Sequence, residues 1–231
     1  MDISRAKDVL DYWFSKGVYE ADYDKWFMKS QDYDEEIKEK FGDLLKEAEQ
    51  GKGFGWLHAK DSYVAYIILL DQFSRHIYRG SGDSFKNDIG VMIFTELGFE
   101  LYREQLKGYE FMFAFMPYMH TENINYQQKG ARYFGIQKQL YGPTSLANSK
   151  RLITDGEHPS FASRMGSFPP EKTNNDKEWE MLNQMEPHQQ GHMETVVVFG
   201  RFPKRNEALG RKSTEHEIRY MEQPEVKKRP Y

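Results

Sequence analysis

The sequence predicts an all-α fold of stacked antiparallel helices in one domain spanning 1–231. Three observations carry that prediction. Apolar residues recur at steps of three and four, as Ile37, Phe41, Leu44, Leu45 and Ala48 do among acids and lysines. The longest apolar run, YVAYIILL at 63–70, lies inside another periodic stretch. Only VVVF, ending at Phe199, hints at a strand, and no alternating run elsewhere could pair with it.

Taken in order, residues 4–16 form an amphipathic helix with Ser4 as N-cap, a face of Val9, Leu10, Trp13 and Phe14, and Gly17 as terminator. The helix at 34–50 stops at Gly51, where a left-handed cap belongs. From Asp61 a long helix runs to near Gly80, and because its middle is apolar on all sides it is central. Helices follow at 84–96, 99–107, 110–116 (ended by Pro117), 122–140, 177–186, 188–200 and 214–222. Thr214 and Glu217 open the last of these with a capping box. Residues 142–176 carry Gly, Pro, Ser and Asn without a steady period and read as a long loop or lid. No internal repeat stands out, so the residues alone support no regular solenoid.

Composition removes several classes of function. With 39% hydrophobic and 15% aromatic residues the chain is globular and not disordered. It has no cysteine, which excludes disulfides, thiolate zinc sites, iron–sulfur ligation and thiol nucleophiles. MDISRAKDVLDYWF places charges where a signal peptide needs an apolar core, and YVAYIILL is far too short to span a bilayer. A soluble, cytoplasmic protein with no membrane partner is the expectation. The net charge of −4 is unevenly spread: residues 1–50 hold 14 acids and 8 bases, residues 199–231 hold 9 bases and 5 acids. That basic end interleaves glutamates and carries no nucleic-acid motif, so its cations are expected to face solvent or internal acids and not nucleic acid. Phosphate-binding glycine loops and the G-x-S-x-G elbow are absent, and no cofactor is implied.

Three polar stretches are candidates for chemistry. In LDQFSRHIYRG, Asp71 and Arg75, Gln72 and His76, and Arg75 and Arg79 are each four apart, so a charged row continues a buried helix. It is either an ion pair with arginines at the negative helix end, or a ligand-facing row at the mouth of a pocket. In MPYMHTENINYQ, His120 precedes a Thr121 N-cap, Glu122 lies in the first turn and Gln127 follows. The H-x-E there is not a zinc deaminase motif, because the required P-C-x-x-C is missing, and no H-E-x-x-H occurs; no metal is expected. In FGRFPKRNEALGRKSTEHE, Gly200 and Pro203 stop the helix that begins near His188, and Arg201 sits by its last carbonyls. Arg205 and Asn206 remain. Arginines held in a turn beside a His-bearing helix suit a bidentate clamp for carboxylate or phosphate, or else Arg205 pairs with an acid such as Asp71.

These three stretches, with WFMKSQDYDEEIKEKFGDLLKEA near the start, resemble the family catalogued as domain of unknown function 924 over roughly 4–222. The resemblance implies an all-helical fold similar to tetratricopeptide-like helix stacks and no established activity. On matching positions it implies Asp71, Gln72, Arg75, Arg79, His120, Glu122, Gln127, His192, Arg201, Arg205 and Asn206 as the characteristic polar residues. Three positions depart from the family pattern: His76 stands for a usual asparagine, Lys204 for a usual histidine and Ser74 for a usual proline.

The resulting expectation is a polar pocket for a small anionic ligand or substrate, bound by Asp71, Arg75, Arg79, Gln127, Arg201, Arg205 and Asn206. His120, Glu122 or His192 would supply acid/base chemistry. The alternatives are a groove for an acidic or C-terminal peptide and a purely structural network. The polar ends are expected to converge, with Asp71, Arg75, His120, Glu122, His192 and Arg205 lining one concavity whether it binds an anion or is structural.

Overall fold

The computed structural model describes residues 1–141 and 176–228, and every described element is helical. Helix α1 (Arg5–Trp13) buries Ala6, Val9 and Trp13 and is followed by a short α2 (Tyr23–Phe27). Helix α3 (Gln31–Glu49) starts at Ser30, whose side chain accepts from the Tyr33 N–H, and buries the five apolar residues predicted for it. Gly51 ends it at φ +77, a conformation glycine adopts at no steric cost.

After a 3₁₀ turn at Phe54–His58 the chain enters the centre of the molecule. Helix α4 (Lys60–Ile67), a π-helical stretch (Ile68–Phe73) and α5 (Ser74–Ile77) follow without a break, and every residue from Ser62 to Ser74 is buried. This is the predicted long helix, and its all-round burial follows from its all-round apolarity. Helices α1 and α3 pack on one side of it, with α6 (Asp88–Tyr102) and α7 (Tyr109–His120) on the other. Helices α8 (Ile124–Tyr141) and α9 (Asp176–Phe199) cover α7. Trp13 lies edge-on to Phe73 and Phe113 with ring centroids 5.4 and 5.2 Å away, joining α1, the π-helix and α7 in one core. A 3₁₀ turn at Pro203–Arg205, α10 (Glu215–Met221) and α11 (Pro224–Lys228) complete the chain. Thr214 and Glu217 form the predicted capping box. Among the described residues no helix is long and apolar enough to cross a membrane.

Four element boundaries differ from expectation. The helices expected at 84–96 and 99–107 are one, α6, because Gly98 is a packing site and not a break: a Cβ there would lie 2.3 Å from the buried Tyr63 ring. Pro117 does not end α7, which continues to His120. Pro187 likewise lies inside α9, so the helices expected at 177–186 and 188–200 are continuous. The stretch VVVF is the last turn of α9, with Val196 buried and Val197 and Val198 exposed. The loop or lid expected at 142–176 lies outside the described residues, save Asp176, which opens α9.

Candidate functional site

The site begins at the π-helix. Its wider turn carries Asp71 and Gln72 into the core, where a plain α-helix would have advanced each residue by 100°. Asp71 is 0% exposed. Its Oδ1 and Oδ2 accept from His120 Nδ1 at 2.8 and 2.9 Å, and Oδ2 also accepts from Gln72 Nε2. One turn on, Arg75 donates to the Asp71 carbonyl at 2.6 Å and places Nη1 3.2 Å from Oδ1. Burial alone would raise the Asp71 carboxyl, but Arg75 and His120 outweigh it and hold the group far below the usual range. Burial depresses His120, opposed by Asp71 and reinforced by Arg75. The pair is therefore a carboxylate and a neutral imidazole at neutral pH.

Asp88, at the start of α6, extends this network to the far end of the chain. Its Oδ1 accepts from Arg75 Nη2 and its Oδ2 from Arg205 Nη1, both at 2.9 Å. Arg205 Nη2 reaches the His120 carbonyl at 2.8 Å. The Arg205 guanidinium lies 4.5 Å from the Phe85 ring centre and 4.4 Å from that of Phe202, between two aromatic faces. Arg205 thus binds an internal acid, as one of the two sequence readings held, but the acid is Asp88 and not Asp71.

Glu122 fastens the same segment from the other side. It accepts from Arg211 Nη1 at 2.7 Å, Arg211 Nη2 at 2.9 Å and the Phe202 N–H at 2.8 Å. Burial would raise its carboxyl, yet these donors lower it, so it is held as an anion and not as an acid. Arg201 grips Glu217 through two bonds of 2.6 and 2.8 Å. Gln127 donates to the carbonyls of Met119 and Thr121, bracing the α7–α8 turn. Asn206 donates to Ser213 at 3.0 Å. Arg79 lies apart, bonded to Asp34 of α3 together with His76. Each of the four candidate arginines thus faces a carboxylate of the protein itself.

One candidate imidazole, His192, lies outside this network. His192 donates from Nδ1 to the His188 carbonyl at 2.7 Å, which fixes the tautomer and leaves the Nε2 lone pair facing away. Its ring centre is 6.0 Å from that of His120 and 5.5 Å from that of Phe202. Burial, with the charge of His120 second, lowers His192 to about 3. His192, His188, Thr195, Lys204 and Tyr220 line a cleft of about 200 Å³ between α9 and the C-terminal helices. Among the six residues expected in one concavity, only His192 lines this cleft; Asp71, Arg75, His120 and Arg205 form the neutralised layer behind it. No group of three or more potential metal ligands occurs among the described residues.

A profile of the family described as "Bacterial protein of unknown function (DUF924)" matches residues 9–225. The chain belongs to this family. A solved structure similar to this chain is that of the protein of unknown function ATU0120 from Agrobacterium tumefaciens, at 24% identity and a TM-score of 0.66, covering 95% of this chain and 97% of that one. At that identity the likeness speaks for the fold. No curated protein matches the chain in sequence. The departures of this DUF924 member now have surroundings. His76 bonds Asp34, Ser74 returns its hydroxyl to the Leu70 carbonyl at 2.6 Å, and Lys204 lines the cleft while donating to the Val226 carbonyl. Sequence reasoning missed Asp88 and Phe85. The only signal for Asp88 was that it is an acid preceding an apolar helix, which a dipole explains just as well.

Proposed function

We propose that the chain binds a small organic anion in the cleft beside His192 and exchanges a proton with it, His192 making contact and His120 acting behind it. The observation that carries this reading is the anchoring of His120 by a wholly buried carboxylate at 2.8 and 2.9 Å, with the His192 ring 6.0 Å away at the cleft wall. A carboxylate on Nδ1 fixes the tautomer of an imidazole and stabilises its cation once Nε2 takes a proton. Asp71 is thus the orienting group, and Gln72 and Arg75 hold it in place. The arginines are paired with internal carboxylates and do not form a clamp, and Lys204 brings a cation to the rim of the cleft. Thr195 and Tyr220 hydroxyls, 3.1 Å from one another, supply neutral polar contacts for the rest of the ligand. The absence of cysteine fits work in the cytoplasm.

The test is a thermal-shift screen of small carboxylates and phosphate esters on the whole protein. A ligand at one hundred times its dissociation constant stabilises by about 2.7 kcal/mol, which for a chain of this size raises the melting temperature by roughly 5–10 °C. The His192→Gln variant, folded as the parent, is expected to lose that shift, and Asp71→Asn to keep binding while losing proton transfer. If no carboxylate or phosphate ester raises the melting temperature, the network is structural and the reading fails.

A further inference from the structure

Helix α6 carries an apolar stripe that the described residues leave uncovered. Ile89, Ile93, Leu97 and Leu101 are 83, 55, 52 and 65% exposed and follow one another at intervals of four residues. That interval keeps them on one face of the helix. The opposite face holds Val91, Met92, Thr95 and Phe99, all buried against the core. The helix is thus apolar over an exposed arc as well as over its core face, with Glu96 and Glu100 as the acids among these residues. Phe54, 61% exposed and 5.1 Å from the Phe94 ring, widens the stripe at its edge. The patch is on the order of 500 Å², at the upper end of what a monomer leaves open, and it supplies a large share of the roughly 800 Å² that a stable interface covers on each partner.

We propose that two copies of the chain form a two-fold dimer through this face, with α6 antiparallel to α6 of the second copy and the axis passing between Ile93 and Leu97. The register follows from the sequence. An axis between Ile93 and Leu97 sets Ile93 against Leu97 of the other copy and Ile89 against Leu101, so each stripe residue meets a stripe residue of the other copy. It also sets Lys86, just before α6, against Glu104, just after it, at both ends of the contact. Both side chains keep exposed surface, 37% for Lys86 and 53% for Glu104, although each already has one ion partner, Glu49 and Arg103. Opposite charges therefore flank an apolar centre, as in a polar-rimmed interface. Gly90 falls opposite Glu100 and leaves room for it, since no atom lies within 4 Å of where its Cβ would be. A register displaced by one turn would lose the Lys86–Glu104 matches and leave a stripe residue of each copy uncovered. A second copy is the occupant favoured, because the same face supplies both the apolar pairs and the matching charges.

Sedimentation equilibrium of the full chain over about 1–100 µM decides this, a range that brackets ordinary dimer affinities. The wild type is expected at twice the chain mass of 27.4 kDa. The double variant Ile93→Glu, Leu97→Glu is expected at the single mass, with its helical circular dichroism unchanged because both positions are exposed. Register is tested by charge: Ile93→Glu alone and Leu97→Lys alone should each be monomeric, and an equimolar mixture should return to twice the mass. A monomeric wild type at about 100 µM overturns the proposal. A dimer that survives the double variant, or a mixture that stays monomeric, overturns it as well.

Discussion

Asp88 divides its two oxygens between guanidinium groups from distant parts of the chain, each at 2.9 Å, and both partners are mostly buried. Removing one of them leaves a buried carboxylate half-paired. Arg205→Ala is therefore expected to cost about 3–5 kcal/mol, and Arg205→Lys, which keeps the charge but loses the fork between Asp88 and the His120 carbonyl, roughly half of that. Urea midpoints of the three proteins would check the order, and a loss under about 1 kcal/mol in Arg205→Ala would show that Asp88 is adequately held by Arg75 alone. At this scale the sequence was legible where a residue had no local explanation. Asp71 and Arg75 continue a helix too apolar to be peripheral, so their need for partners could be read directly. Asp88 and Glu217 were hidden because each has a sufficient local role, at a helix start and in a capping box, that says nothing of a distant arginine.

Among elements, the same residue type acts in opposite ways, and this is what sequence periodicity could not resolve. Gly98 and Gly135 both lie inside helices, although the apolar spacing predicts a helix only around Gly135 and a break at Gly98. A Cβ at Gly98 would sit 2.3 Å from the ring of Tyr63, which is 0% exposed and cannot withdraw, whereas a Cβ at Gly135 would meet nothing within 4 Å. Gly98→Ala is expected to destabilise by about 1–3 kcal/mol despite the better helix former, and Gly135→Ala to stabilise by roughly 0.5–1 kcal/mol. Equal effects of the two changes, read from denaturant midpoints, would contradict the packing described for α6 against α4. Helix α3 was readable because its burial pattern is periodic, and the central helix because a run apolar on all sides has to be buried on all sides. The π-helix was not, because one wide turn inside an all-apolar stretch leaves no trace in the spacing. Pro117 and Pro187 misled for a related reason: proline's penalty is local, and helices gripped along their length by neighbours absorb it.

Over the whole molecule, three histidines, one buried and two partly covered, set how stability responds to acid. Burial is the main cause that lowers His76, His120 and His192 below their ordinary 6.5. The unfolded chain therefore takes up protons before the folded one, so stability is full above pH 6.5 and falls as pH drops through the interval down to the folded values. Asp71, Glu122 and Glu217 are lowered too, and their contribution is lost in a separate, more acidic window below about pH 4. Urea midpoints at pH 8, 7, 6 and 5 are expected to decline first between 7 and 5, by about 1–2 kcal/mol in all, and His192→Gln is expected to flatten part of that decline. A flat profile from pH 8 to 5 would show that these rings are open to water. The same network has a consequence for the making of the protein. Asp88 and Arg205 are 117 positions apart, and Glu122 and Arg211 are 89 apart. The ribosome delivers the two acids long before the two arginines that neutralise them. A chain cut before Arg205 is therefore expected to hold Asp88 with one guanidinium in place of two and Glu122 without Arg211, and to be less stable than the full chain.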